Sequence, residues 1–96
     1  MKTGDFVIVR TYSAGVFAGI LGPRKGREVM IKKAIRIWYW AGAASLSQLA
    51  VEGTKKPAEC KFGVPVAEIL VTEAIEILAC TKAAKSSIMG VSPWRQ

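Results

Sequence analysis

Apolar and polar positions change period several times along the chain. Phe6-Val7-Ile8-Val9-Arg10-Thr11-Tyr12 is rich in β-branched and aromatic residues and predicts a strand. Ser13-Ala14-Gly15 is a turn signal, and the apolar run resumes from Val16 to Leu21. Residues 6–21 are therefore expected to form a β-hairpin. Gly22-Pro23-Arg24-Lys25-Gly26 predicts a second turn. Glu28 to Ile31 gives a third strand, and AIRIWYW, residues 34–40, a fourth extended run. Ser45 with Gln48 three residues on matches a capping box. Leu46, Leu49 and Ala50 then share one helical face, so a short helix is expected over 45–51, with Gly53 as its stop.

The second half is less regular. Thr54 to Gly63, with Pro57, is expected as a loop. Val64 to Val71 is mixed, because Pro65 keeps part of it out of a central strand. Ile75 and Ile77 alternate with Glu76 and support a strand over 74–80, although Thr72 and Glu73 could also open a helix. With that strand, Thr81 becomes an N-cap for a helix over Lys82 to Ile88, ended by Gly90. Val91-Ser92-Pro93-Trp94 is an extended tail, with Trp94 docked on the body or on a neighbour. The expected class is α+β: one domain over residues 1–96, a mostly antiparallel sheet and two short helices. No repeat, linker or low-complexity tract interrupts it.

Composition adds an expectation of association. A domain this small buries roughly 60% of its unfolded surface, yet 51% of its 96 residues are hydrophobic. Some of that apolar surface is expected between subunits. The balance of 14 Lys and Arg against 7 Asp and Glu gives a net charge of +7, which favours polyanions, acidic small molecules or membrane surfaces as well as plain solubility. The basic residues are spread along the chain rather than gathered in a tail. There is no histidine, the commonest acid–base group, no paired-carboxylate constellation and no phosphate loop. Catalysis is therefore not expected. Cys60 and Cys80 are too few for a structural zinc, which takes about four ligands, and are expected as inert thiols. No cofactor or metal is implied. No signal peptide is visible, and no apolar run approaches the length of about 18 residues of a membrane helix. A cytoplasmic protein, with reduced thiols and no membrane partner, is expected.

Candidate chemistry gathers in two stretches. In a strand, Arg36, Trp38 and Trp40 lie on one face, with Ile35, Ile37 and Tyr39 on the other. The second set is an ordinary core face. The first joins a cation to two indoles, and aromatic faces stack on bases while Arg pairs with phosphate. Either Trp could instead be a packing residue. The small Gly42-Ala43-Ala44 that follows admits close approach by a ligand or by a second subunit. Ser45 and Ser47 could donate hydroxyls at the helix start, and Gln48 could read a base edge, unless Ser45 is only a cap. Arg10, Tyr12 and Ser13 cluster at the first hairpin turn, another common binding position, or merely a turn. The run from Arg24 to Arg27 is expected as a solvated loop.

At RTYSAGVFAG and RIWYWAGAASLSQLAVEG, and again at PAECKF, VTEAIEI and VSPW, the chain resembles small phage-encoded proteins grouped as a domain of unknown function. The resemblance implies kinship with the phage sponge proteins that counter bacterial CBASS immunity. Those bind cyclic dinucleotide signals as oligomers, a tetramer above all, and do not cleave them. By matching chemistry, the implied ligand contacts are Arg10, Tyr12, Ser13, Trp38, Trp40, Ser45 and Gln48. Two other functions share the same features. One is a host-protein-binding inhibitor that uses its Trp, Tyr and Arg as hot spots. The other, less favoured, is a basic DNA- or RNA-binding accessory protein, since no recognition helix with clustered cations is visible.

Overall fold

A computed structural model describes residues 1–96. The opening apolar run forms β1, Phe6–Thr11, in which Phe6, Val7, Ile8 and Val9 are all buried. Successive strand side chains point to opposite faces, so both faces of β1 are covered. The turn after it is tied by Thr11, whose hydroxyl donates to the Gly15 carbonyl (2.7 Å) and accepts from the Ala14 N–H (2.9 Å). β2, Val16–Lys25, returns antiparallel with Ile20 opposite Phe6 and Val16 opposite Arg10. The expected hairpin is present.

Two expected boundaries differ. The turn predicted over Gly22 to Gly26 shrinks to Gly26 and Arg27, because β2 continues to Lys25. Gly26 takes a φ of 59°, as the first central residue of a type II′ hairpin does. Pro23 is tolerated because the register slips between Leu21 and Arg24, and a bulge accepts a residue without an N–H. The strands predicted at Glu28–Ile31 and at residues 34–40 are one strand, β3, Glu28–Tyr39.

β3 carries an irregularity that decides what faces where. Ile20 pairs with Lys32 and Ala18 with Ile35, so β3 holds one extra residue opposite Gly19. Lys33 absorbs it with a φ of 50°, the one non-glycine residue in the left-handed region. That conformation costs about 1–2 kcal/mol. Gly19 is required across from it, since a Cβ there would sit 2.6 Å from the Ile31 side chain and 2.7 Å from the Lys32 carbonyl. Without the bulge, Val29, Ile31, Ile35 and Ile37 would share one face. With it, Val29, Ile31 and Ala34 join one buried layer, while Ile35 and Ile37 join the other.

β3 is flanked by β2 on one side and, on its other edge, by β4 (Lys61–Phe62) and β5 (Val66–Val71). β6, Ala74–Ala79, pairs with β1 at the far edge. Every pairing is antiparallel. β5 and β6 are consecutive in the chain yet lie at opposite edges, so the sheet must curl. The Ala74 N–H reaches the Arg27 carbonyl at 3.0 Å across that curl. Inside it lie Val7, Val9, Phe17, Leu21, Val29, Ile31, Ala34 and Val71, joined by Ile69 and Ile77 from the two edges. The outer face carries Phe6, Ile8, Ile35, Ile37 and Phe62, packed by the helices α1 (Leu46–Glu52) and α2 (Lys82–Met89) through Leu49, Ala50 and Ile88.

Both helix starts are as expected: Ser45 accepts from the Gln48 N–H, and Thr81 from the Ala84 N–H. The mixed stretch after Pro65 contains edge strand β5. The expected loop at 54–63 also holds a 3-10 turn, Pro57–Glu59, and the whole of β4.

Candidate functional site

Arg36 and Trp38 lie on one face of β3, as alternation predicts, with buried Ile37 between them. Arg36 is clamped inward. Its guanidinium carbon stands 4.5 Å from the centre of the Phe17 ring, and one nitrogen donates to the Ala14 carbonyl at 2.7 Å. It thereby fastens the β1–β2 turn. Trp38 projects outward and is 62% exposed.

Trp38 has a partner that no spacing along the chain pairs with it. The Trp94 ring stacks on it, with centroids 5.2 Å apart and planes 5° from parallel. The tail is held there by its backbone: the Trp94 N–H donates to the Phe62 carbonyl at 2.8 Å. The Lys61 ammonium stands 5.2 Å from the Trp38 centroid and 5.3 Å from that of Trp94, within cation–π range of both. So Trp94 docks on the body, and Trp38, Trp94 and Lys61 form one exposed aromatic–cationic cluster at the β4 edge. Trp94 and Lys61 are the site residues that alternation within one strand misses. The available signal was an aromatic stranded in an otherwise polar tail.

Other candidates lie elsewhere. β3 ends at Tyr39, so alternation no longer governs Trp40. Its ring packs on the outer core, and its indole N–H donates to the Ala43 carbonyl at 3.1 Å. Tyr39, expected on the core face, is exposed: the β3–β4 register shifts between Ile37 and Tyr39, so Tyr39 does not continue the buried Ile37 face. Ser45 is a cap. Ser47 is exposed and Gln48 is occupied at both ends: its carbonyl oxygen accepts from the Ala44 N–H (2.7 Å) and its amide donates to Glu52 (3.3 Å). At the first hairpin turn, Arg10 pairs with Glu76 at 2.8 Å and the Ser13 hydroxyl donates to Glu73. The Arg10–Glu76 pair is half exposed and contributes at most about 1 kcal/mol. Tyr12 is free and 77% exposed.

The small residues after Trp40 do admit a close neighbour, and it is this chain's own loop. The Lys55 N–H donates to the Gly42 carbonyl at 3.1 Å, and the Thr54 hydroxyl donates to the Ala41 carbonyl. Cys60 Sγ completes this corner, 3.5 Å from the Thr54 hydroxyl.

Both thiols are free. Burial pushes the Cys80 thiol up from 9.0 to about 11. A thiol raised in the folded state favours folding below its unfolded value, and that contribution fades as pH climbs from about 9 to 11. The expected result is a loss of stability over that window that is smaller in Cys80→Ala, measured by urea unfolding at pH 8 and pH 10.5. Equal losses in both proteins would count against it. No three His, Cys, Asp or Glu side chains come together in a way that could hold a metal ion. No helix is long and apolar enough to cross a membrane.

These features define a small α+β domain with a curled antiparallel sheet and an exposed, cation-flanked indole pair at one edge. The chain belongs to a family described as a domain of unknown function (DUF6948), matched over residues 4–88. No curated protein and no solved structure matches it.

Proposed function

We propose that the protein binds a cyclic dinucleotide and holds it without cleaving it. The observation that carries this reading is the Trp38–Trp94 stack beside Lys61. Two parallel indoles, exposed by 62% and 42%, are already in the geometry that a nucleobase extends by one further layer. Lys61, 5.2 and 5.3 Å from the two ring centres, supplies a positive charge for a phosphate. Stacking of this kind is worth roughly 1–3 kcal/mol per base. The finer reading is a phage sponge that sequesters an immune second messenger, assembled as a homo-oligomer, in the first instance a tetramer. A ligand with two bases and two phosphates suits two copies of one platform, which is what a symmetric assembly supplies.

Thermal unfolding against a panel of cyclic di- and trinucleotides tests the reading. A ligand at a hundred times its dissociation constant stabilises by about 2.7 kcal/mol. The expected result is a raised midpoint with one nucleotide, and intact nucleotide recovered after denaturation. Trp38→Ala and Trp94→Ala should each weaken binding by roughly 5- to 150-fold, with an unchanged circular dichroism spectrum. Recovery of hydrolysed product would sink the sponge reading. No shift with any nucleotide would turn the indole pair into a candidate protein interface.

A further inference from the structure

Away from the indole pair, a groove of about 410 Å³ opens between the β3–β5 edge and α2. That volume lies at the small end of the roughly 300–1,000 Å³ typical of small-molecule sites. Buried Phe6 and Ile35 and half-buried Ile20 lie deepest, and exposed Val66 and Met89 flank them. Two charged residues line it, Lys33 and Lys85, and no carboxylate does. The ammonium of Lys85 stands 5.9 Å from the centre of the Phe6 ring. The molecule's one ion pair is Arg10–Glu76, so neither lysine has an acidic partner.

Lys33 is also the residue whose backbone is held at a φ of 50°. Glycine would take that conformation without strain. A bulge re-aims a side chain, and strained non-glycine residues gather at functional sites. Here the bulge brings a cation to an apolar groove, opposite a second cation from α2. Two like charges facing one low-dielectric cleft repel each other and attract a counter-charge.

We propose that this groove is a second binding site, for a small organic anion with an apolar body, of the class of medium-chain carboxylates. The alkyl part would lie on Phe6, Ile20 and Ile35, and the carboxylate between Lys33 and Lys85. This site stands on its own observations and does not depend on nucleotide binding at Trp38.

Decanoate, with decanol as the uncharged control, is the probe. Methyl NMR of the full chain is expected to show saturable decanoate shifts at Ile20, Ile35, Val66 and Met89, and none at Leu70, which is exposed elsewhere on β5. Lys33→Gly and Lys85→Ala are each expected to weaken decanoate binding by about tenfold or more, as loss of a charge-assisted contact does. Lys33→Gly should unfold at a midpoint no lower than the parent, because it removes the charge and the backbone strain together. Three outcomes overturn the proposal. These are no methyl shifts at millimolar decanoate, decanol binding as tightly as decanoate, and unchanged decanoate affinity in the Lys33→Gly, Lys85→Ala double variant.

Discussion

Gly42→Ala is expected to destabilise the protein by about 3 kcal/mol or more, from backbone strain and overpacking together. Gly42 sits at a φ of 80°. A Cβ there would stand 2.4 Å from the Lys56 nitrogen, 2.6 Å from the Lys55 nitrogen and 2.7 Å from the Thr54 hydroxyl. Two of those three atoms are main chain and cannot swing aside. Moving the loop would break the Lys55–Gly42 hydrogen bond and the Thr54 and Cys60 contacts with Ala41. Domains of this size hold roughly 5–15 kcal/mol in all, so the loss is a large share. The control is Gly4→Ala, which has a φ of 100° and nothing within 4 Å of the added Cβ. Gly4→Ala meets the strain without the clash. Urea midpoints of the two variants separate the contributions, provided the slopes are equal. Equal losses in both would show that the loop yields and that the close approach at Gly42 matters little.

Phe62→Ala is the second large effect, at about 3–5 kcal/mol for truncating a buried Phe. Phe62 is 1% exposed and sits in a two-residue strand opposite Ile37. So short a strand has little ladder of its own, and burial of the Phe62 ring in the outer core is what fixes it. The same residue's carbonyl anchors Trp94. Loss of the ring should therefore also loosen the indole pair. Chemical unfolding gives the stability term. Acrylamide quenching of tryptophan emission under native conditions is expected to rise. A fully stable variant with unchanged quenching would show that β4 is held by its backbone alone.

Local chemistry was legible in the sequence, and long-range geometry was not. Ser45 with Gln48, and Thr81, declared themselves as helix starts because capping needs only residues three apart. The alternation that puts Arg36 and Trp38 on one face was legible as far as Trp38, and it broke at Tyr39, where the register against β4 shifts. It failed again at Trp40, because nothing local marks Tyr39 as the last residue of β3. The break between Ile31 and Ala34 looked like two strands, whereas tertiary pairing with β2 kept one strand and placed the extra residue at Lys33. Gly42-Ala43-Ala44 signalled a close approach by a ligand or a second subunit, whereas the neighbour at Gly42 is the chain's own loop. That loop, residues 54–56, could be found there only once the chain was folded. The Trp38–Trp94 stack joins distant segments through a backbone bond to Phe62, and no spacing rule reaches that far. The α+β class itself was recoverable, because it follows from the order of strand and helix signals.

The pairing of β1 with β6, with Val7 opposite Ala79, has a consequence for how the chain reaches its fold. A strand near the start waits for one near the end, and such non-local pairing slows folding. During synthesis, β1, β2 and β3 can assemble early, but β1 then presents an open edge with apolar side chains on both faces. Until Ala79 has left the ribosome, that edge is free to pair with another nascent chain. The interval before β6 arrives is therefore the stage at which this protein is most exposed to misassembly, and chaperone demand should fall once β6 has docked.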